Sequence, residues 1–333
     1  MARIVLGLGA SHTPLLTLTS EQWSHRAAVD YANPRLNLSD GRWLSYEALL
    51  AEVGPRHEAV VTPEVLDEKA RLCEAALQRL GDELQAAQPD VVVIVGDDQS
   101  ELFGPANQPV IAVYHGAEIV THDKFGREST PQWMRDMGRG YLMDHVHRVP
   151  GCPEFALDVI GSLVEQNIDV ATVASVDDPQ KAGFGHAYGF IIKRVMRERP
   201  IPVLPIMLNT YYPPNVPTAA RVVQMGRALA KAIADSPREL RVAVVASGGL
   251  SHFVVDEQLD RGLIKAFVER DLDALARLPR GALNSGSSEI LNWVMTAGAV
   301  SELPVRWHEY YPLYRTPAGT GVGAAFVAWR DGA

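Results

Sequence analysis

The chain has 333 residues, 47% hydrophobic and 21% charged, enough apolar material for one large α/β domain or two small ones and too much for a disordered chain. Its 31 basic and 40 acidic residues leave a net charge of −9, and without a Lys/Arg stripe this argues against a nucleic-acid partner. Two cysteines, Cys73 and Cys152, cannot build a disulfide framework, and no uncharged apolar run approaches the roughly 18 residues of a membrane helix. The expectation is a cytoplasmic protein with no membrane partner.

In chain order, residues 3–7 form a first apolar run that enters Ser11-His12-Thr13-Pro14. With no basic segment and long apolar core before it, this reads as a strand rather than a signal peptide. Residues 20–60, rich in Trp, Asn, Pro and Tyr, read as a lid or insertion. Thr62-Pro63-Glu64 then opens a helix expected to run to Leu84, with Thr as N-cap and Pro in the first turn. Strands are expected at 90–95, 110–114, 170–174, 202–208 and 241–246, and helices at 154–166, 219–234 and 256–278. A small-residue loop, Asn284-Ser285-Gly286-Ser287-Ser288, leads into a last apolar helix, with Ser285 or Ser287 as its cap and Glu289 in its first turn. Residues 310–315 are expected to be a loop that either lines an aromatic pocket with Trp23, Trp43 and Tyr46 or packs into the core.

Continuous apolar runs, rather than alternating ones, suit strands buried on both faces. Strand and helix alternate throughout, with no repeat and no linker. The predicted fold is α/β: a single domain over residues 1–333, with a central, mostly parallel or mixed sheet covered by helices.

Ligands of such sheets bind beyond the carboxyl ends of the strands, where the loops converge. Three polar clusters fall there: His12, Asp97-Asp98-Gln99 and Ser251-His252. Gly7-Leu8-Gly9-Ala10 lacks the third glycine of a dinucleotide site and no Walker lysine follows it. Ser247-Gly248-Gly249-Leu250-Ser251 lacks the frame of a nucleophile elbow. Of the ten histidines, His25, His57, His122, His145 and His147 read as solvated or core residues. His12 and His252 differ, because each follows an apolar strand and a small-residue turn, and with a carboxylate in reach they suggest a metal site on strand ends. Glu289 is either that carboxylate or a capping residue. Arg306, Arg315 and Lys124 are candidates to pair with a carboxylate on a substrate.

These pieces occur in an order that resembles the class III extradiol ring-cleavage dioxygenases of the protocatechuate 4,5-dioxygenase β-subunit type. The matching segments are Ser11-His12-Thr13-Pro14, Gly96-Asp97-Asp98-Gln99 with Phe103, Gly185-His186-Ala187-Tyr188-Gly189-Phe190, Asn209-Thr210-Tyr211-Tyr212-Pro213-Pro214, Ser247 to His252, and Gly286-Ser287-Ser288-Glu289. The Asp-Asp-Gln variant, with Trp23, Tyr46 and Thr62-Pro63-Glu64, is similar to the branch acting on methoxylated or biaryl lignin-derived catechols, such as 3-O-methylgallate.

The resemblance implies a non-haem Fe(II) enzyme that opens a catechol or gallate-type ring with O₂. It implies His12 and Glu289 as metal ligands. It places Gln99 where the family has a histidine, with Asp98, Glu101 or His57 as alternative third ligands. His252 would be the acid/base histidine, and His186 a histidine that hydrogen-bonds substrate or oxygen. A zinc-dependent hydrolase using the same site and a non-catalytic binding protein of this fold are the competing readings. A homodimer is the default expectation for a soluble enzyme.

Overall fold

The apolar runs become strands because valine and isoleucine cover both of their faces. The structure is a computed structural model that describes residues 1–331. Its central sheet contains β1 (Arg3–Ala10), β2 (Val91–Asp97), β3 (Ile111–Tyr114), β4 (Ala171–Val173), β5 (Val203–Leu208), β6 (Arg241–Ser247), β7 (Val305–Tyr314) and β8 (Gly321–Trp329). They lie in the order β7-β8-β1-β6-β2-β5-β3-β4. Strands β1, β6, β2 and β5 are mutually parallel. β3 reverses against β5 and pairs in parallel with β4, while the β7–β8 hairpin runs antiparallel onto β1. The sheet is therefore mixed around a parallel centre, as the apolar runs predict.

Successive residues of β2 feed two apolar layers. Val91, Val93 and Val95 pack with the helices Pro153–Glu165, Ala219–Asp235, Glu257–Glu269 and Ile290–Ala299. Val92 and Ile94 pack with Pro63–Ala87 and His186–Phe190 on the opposite face. The expected helices at 62–84, 154–166 and 219–234 are all present, with ends shifted by no more than a turn. No helix among the described residues is long and apolar enough to cross a membrane.

Two expectations fail. The helix expected at 256–278 is broken into Glu257–Glu269 and Leu272–Ala276. Arg270 adopts a left-handed φ of 56°, and the Asp271 carboxylate caps the second helix by accepting from the Ala274 N–H at 2.8 Å. Residues 310–314 are strand, not loop, and close β7. Pro312 and mixed burial conceal that strand in the sequence, and an edge strand tolerates the missing N–H.

The helix Ile290–Ala299 is buried at every position, and its seating on the sheet sets where the preceding Glu289 lies. Trp293 lies against Gly9 of β1, where a Cβ would stand 2.1 Å from the indole ring, and its Nε1 donates to the Gly248 carbonyl at 2.7 Å. Only glycine permits that approach. The hairpin is fastened to the Ser251 turn by Asp260, which is buried and accepts from the Ser251 N–H and hydroxyl and from the Tyr310 hydroxyl at 2.7–2.8 Å. Burial pushes the Asp260 carboxyl up to about 6 despite these donors.

Gly9→Ala is expected to destabilise the protein by about 1–3 kcal/mol through overpacking against Trp293, measured by denaturant unfolding. Because Asp260 holds its proton more tightly folded than unfolded, its contribution to stability falls as pH rises from about 4 through about 6. Asp260→Asn removes that slope. The variant is expected to gain on the parent by up to about 3 kcal/mol between pH 4 and pH 7 in calorimetric unfolding.

Candidate functional site

β1, β6 and β2 are adjacent and parallel, so their carboxyl ends open on one side of the sheet. A cavity of about 210 Å³ lies there, lined by His12, Gln99, His186, His252 and Glu289 among others. The three separate polar clusters of the sequence thus meet in one place, joined by the Glu289 turn and His186.

His12 is buried, and its ring is set by Ser247 at the end of β6. The Ser247 hydroxyl donates to the Ala187 carbonyl at 2.6 Å, so its oxygen accepts from His12 Nδ1–H at 2.9 Å. That tautomer leaves a lone pair on Nε2. Nε2 lies 3.1 Å from Glu289 Oε2, yet has no aligned hydrogen-bond partner among the described residues. Two acceptors facing each other at this distance suit a cation shared between them.

Glu289 Oε2 accepts from the Gly249 N–H at 2.7 Å, and its Oε1 lies 3.5 Å from His252 Nε2. Burial opposes its charge, but His252 holds its carboxyl well below the usual range. Asp97 ends β2 beneath it. Burial, and then repulsion from Glu289, raise the Asp97 carboxyl, which accepts from Asn292 at 3.2 Å. The Gln99 amide bridges these acids, 3.1 Å from Asp97 Oδ2 and 3.1 Å from Glu289 Oε1. A half-turn of that amide exchanges its nitrogen for its oxygen.

One ligand atom from each of His12, Asp97, His186 and Glu289 lies within 4.8 Å of the others. Two buried carboxylates and an imidazole lone pair without a hydrogen bond form a nitrogen/oxygen donor set that fits a divalent transition metal.

Two further imidazoles face the cavity. His252 donates from Nδ1 to the Leu250 carbonyl at 2.8 Å, which turns Nε2 towards Glu289. Burial opposes its charge, and Glu289 nevertheless raises its pKa. Gly286 lies flat on this ring, where a Cβ would come within 2.0 Å of the imidazole, so the small-residue loop is a fitted wall. His186 pairs through Nδ1 with Glu101 at 2.8 and 3.0 Å. Burial disfavours the pair's charges, but mutual attraction prevails: His186 rises to about 9 and Glu101 falls to about 2.

The alternatives to Gln99 lie elsewhere or are engaged. Asp98 caps the following turn, accepting from the Leu102 and Phe103 N–H groups at 2.7 and 3.1 Å. Glu101 is held by His186, and His57 stacks on Tyr314 with ring centroids 3.9 Å apart. Arg306 points to Glu83, outside the cavity, whereas Arg315 and Lys124 line it. Trp23 is buried with Nε1 on the Leu15 carbonyl, Tyr46 packs edge-on against Tyr31, and Trp43 lines a different cavity. The aromatic wall is instead Phe125, Tyr141 and Phe253. Ser287 does not cap the last helix. Its hydroxyl accepts from the His252 N–H at 2.9 Å and donates to the His252 carbonyl at 2.7 Å.

Sequence reading missed Tyr141, whose hydroxyl donates to the His12 carbonyl at 2.7 Å, because its segment carries no motif. It also missed Asn37, which donates to the carbonyls of His252 and Asn284 at 3.1 and 3.0 Å and so clamps the two site loops together. His145 and His147, read as solvated, share Asp144 at 3.2 and 2.9 Å outside this cavity.

Residues 48–326 match the family described as the catalytic LigB subunit of aromatic ring-opening dioxygenase. That span includes Gln99, His186, His252 and Glu289, while His12 precedes it. A segment of 146 residues is 30% identical to the gallate dioxygenase of Pseudomonas putida (strain KT2440), covering 40% of this chain and 41% of that protein. The chain therefore spans less than half the length of the curated relative it matches.

Ser247→Ala removes the group that sets the His12 tautomer. It is expected to weaken divalent-metal binding about 10- to 100-fold in a competition titration, with little change in fold.

Proposed function

We propose that this chain, which belongs to the family of catalytic LigB subunits of aromatic ring-opening dioxygenases, is an extradiol dioxygenase. Its substrate in this reading is a catechol or gallate-type ring, opened with O₂ at a ferrous ion held by His12, Gln99 and Glu289. The observation that carries it is the His12 Nε2 lone pair facing Glu289 at 3.1 Å, without a hydrogen bond, in a cavity that also holds two titratable imidazoles. The relative that acts on gallate supports a gallate-type substrate.

Held by these residues, ferrous iron would supply coordination for ring oxygens and O₂ and the electron transfer between them. A divalent ion held by His12, Gln99 and Glu289 would favour an ionised catechol over a neutral one. His252 takes the proton that the catechol hydroxyl loses, because Nδ1 is fixed on the Leu250 carbonyl and only Nε2 is free to titrate. The same nitrogen returns that proton as the ring opens. His186, kept protonated at neutral pH by Glu101, donates a hydrogen bond where negative charge develops on oxygen. Phe125 and Phe253 hold the ring and exclude water.

The test is anaerobic reconstitution with Fe(II) and gallate, followed by oxygen. The expected outcome is one O₂ consumed per ring opened, with a new absorbing product. Turnover with zinc under nitrogen would favour the hydrolase, and binding without turnover a binding protein. Glu289→Ala is expected to lose iron, measured by metal analysis. His252→Ala is expected to keep iron while turnover falls about 10²- to 10⁴-fold.

A further inference from the structure

Outside the cavity, the turn that follows Tyr141 gathers three metal-binding side chains. Asp144, His145 and His147 each offer a ligand atom within 4.8 Å of the other two. One imidazole faces each oxygen of the carboxylate: His147 Nε2 lies 2.9 Å from Asp144 Oδ1, and His145 Nδ1 lies 3.2 Å from Asp144 Oδ2. The two rings lie one over the other, with centroids 3.8 Å apart and an interplanar angle of 36°. No lysine or arginine pairs with Asp144 among the described residues, so its carboxylate is left to the two imidazoles.

The backbone fixes this group from both sides. The His147 N–H donates to the Thr121 hydroxyl at 2.9 Å, and the His147 carbonyl accepts from the Thr121 N–H at 3.1 Å. The same hydroxyl donates to the His145 carbonyl at 3.5 Å. These bonds continue the short ladder between Glu118–Val120 and Arg148–Pro150. Before Asp144, the Met143 carbonyl accepts from the Phe125 N–H at 2.9 Å. The Asp144 carbonyl itself packs on Gly126, where a Cβ would stand 2.2 Å away. Donors brought together by a fixed frame need little further ordering to bind an ion. Solvent reaches all three: the His145 side chain is 65% exposed, and those of Asp144 and His147 are 22% and 19% exposed.

We infer that Asp144, His145 and His147 form a second metal site, separate from the cavity, for a divalent transition ion of the zinc class. Ligand atoms about 2.0–2.2 Å from one zinc ion stand roughly 3–3.5 Å from each other, and the two nitrogen–oxygen separations are already close to that. Without the ion, hydrogen bonds span these distances. On binding, each neutral imidazole carries its proton on the nitrogen turned away and gives the lone pair of the other to the metal. Two imidazoles and a carboxylate suit zinc, nickel or copper, whereas magnesium and calcium prefer oxygen donors throughout. Water completes the coordination on the side where His145 faces solvent. The site uses neither His12 nor Glu289, so it is independent of the ring-opening reading.

The experiment titrates Zn(II) by calorimetry into the Glu289→Ala chain, in which the cavity site is disabled, with Mg(II) as the oxygen-preferring control. Zn(II) is expected to bind and Mg(II) is not. Adding His145→Ala or His147→Ala to that chain should weaken Zn(II) by at least about 10-fold, since each removes a ligand. A second measurement needs no variant. In the unsubstituted protein, paramagnetic Ni(II) is expected to broaden the imidazole resonances of His145 and His147 before those of the exposed His25 and His308. Zn(II) binding that both histidine substitutions leave within about twofold would overturn the assignment. So would Ni(II) broadening that spares His145 and His147. Neither readout involves gallate or oxygen, so a failure of ring opening leaves this site standing, and its own failure leaves the ring-opening reading untouched.

Discussion

A buried carboxylate is the constraint around which the site is arranged. Glu289 is shut away from water, and an isolated anion in that position would be too costly to keep charged. The chain surrounds it with His12, His252, the Gln99 amide and the Gly249 N–H. His12 follows β1, Gln99 follows β2, and Gly249 and His252 both follow β6, so one carboxylate draws three strand ends together. The deep seating of the Ile290–Ala299 helix, locked by Trp293 on Gly9, keeps the acid in place while those partners are held to it.

The supporting contacts act on orientation as much as on stability. Ser247 sets one imidazole tautomer, the Leu250 carbonyl sets another, and Glu101 keeps a third charged. Three histidines of one cavity thereby have three different protonation roles, which is the separation that proton transfer near neutral pH requires. The segment over residues 20–60 is no separate appendage. Asn37 ties the His252 and Glu289 loops, Asp30 neutralises Arg315, and Arg26 lines the cavity. What this segment contributes is thus charge and loop geometry, while Trp23, Trp43 and Tyr46 do not line the site cavity.

Much of this was legible in the residues. The runs ending at Ser11, Asp97 and Ser247 are strands, and the polar residues just beyond them do converge. His12 and Glu289 were singled out by their places after a strand and before a helix, and they lie 3.1 Å apart. The edge strand with Pro312 was not legible, because its residues are buried irregularly and no period emerges. Nor was the break at Arg270, where a cap at Asp271 overrides an amphipathic pattern that continues across it. Arg315 was singled out for its charge, but charge alone does not reveal that Asp30 has claimed it.

The division between the two levels follows from range. A strand buried on both faces must be apolar throughout, and a loop beyond it must carry the polar groups that cannot enter the sheet. Local sequence therefore determined the strands buried on both faces, their α/β alternation and the sheet end where the polar clusters gather. Partnership is a long-range property: His12 meets Ser247 across 235 residues, Glu289 meets Gln99 across 190, and Arg315 meets Asp30 across 285. Only the packed chain decided which way each imidazole is turned and which carboxylate is spent, because those states depend on neighbours that no local pattern specifies.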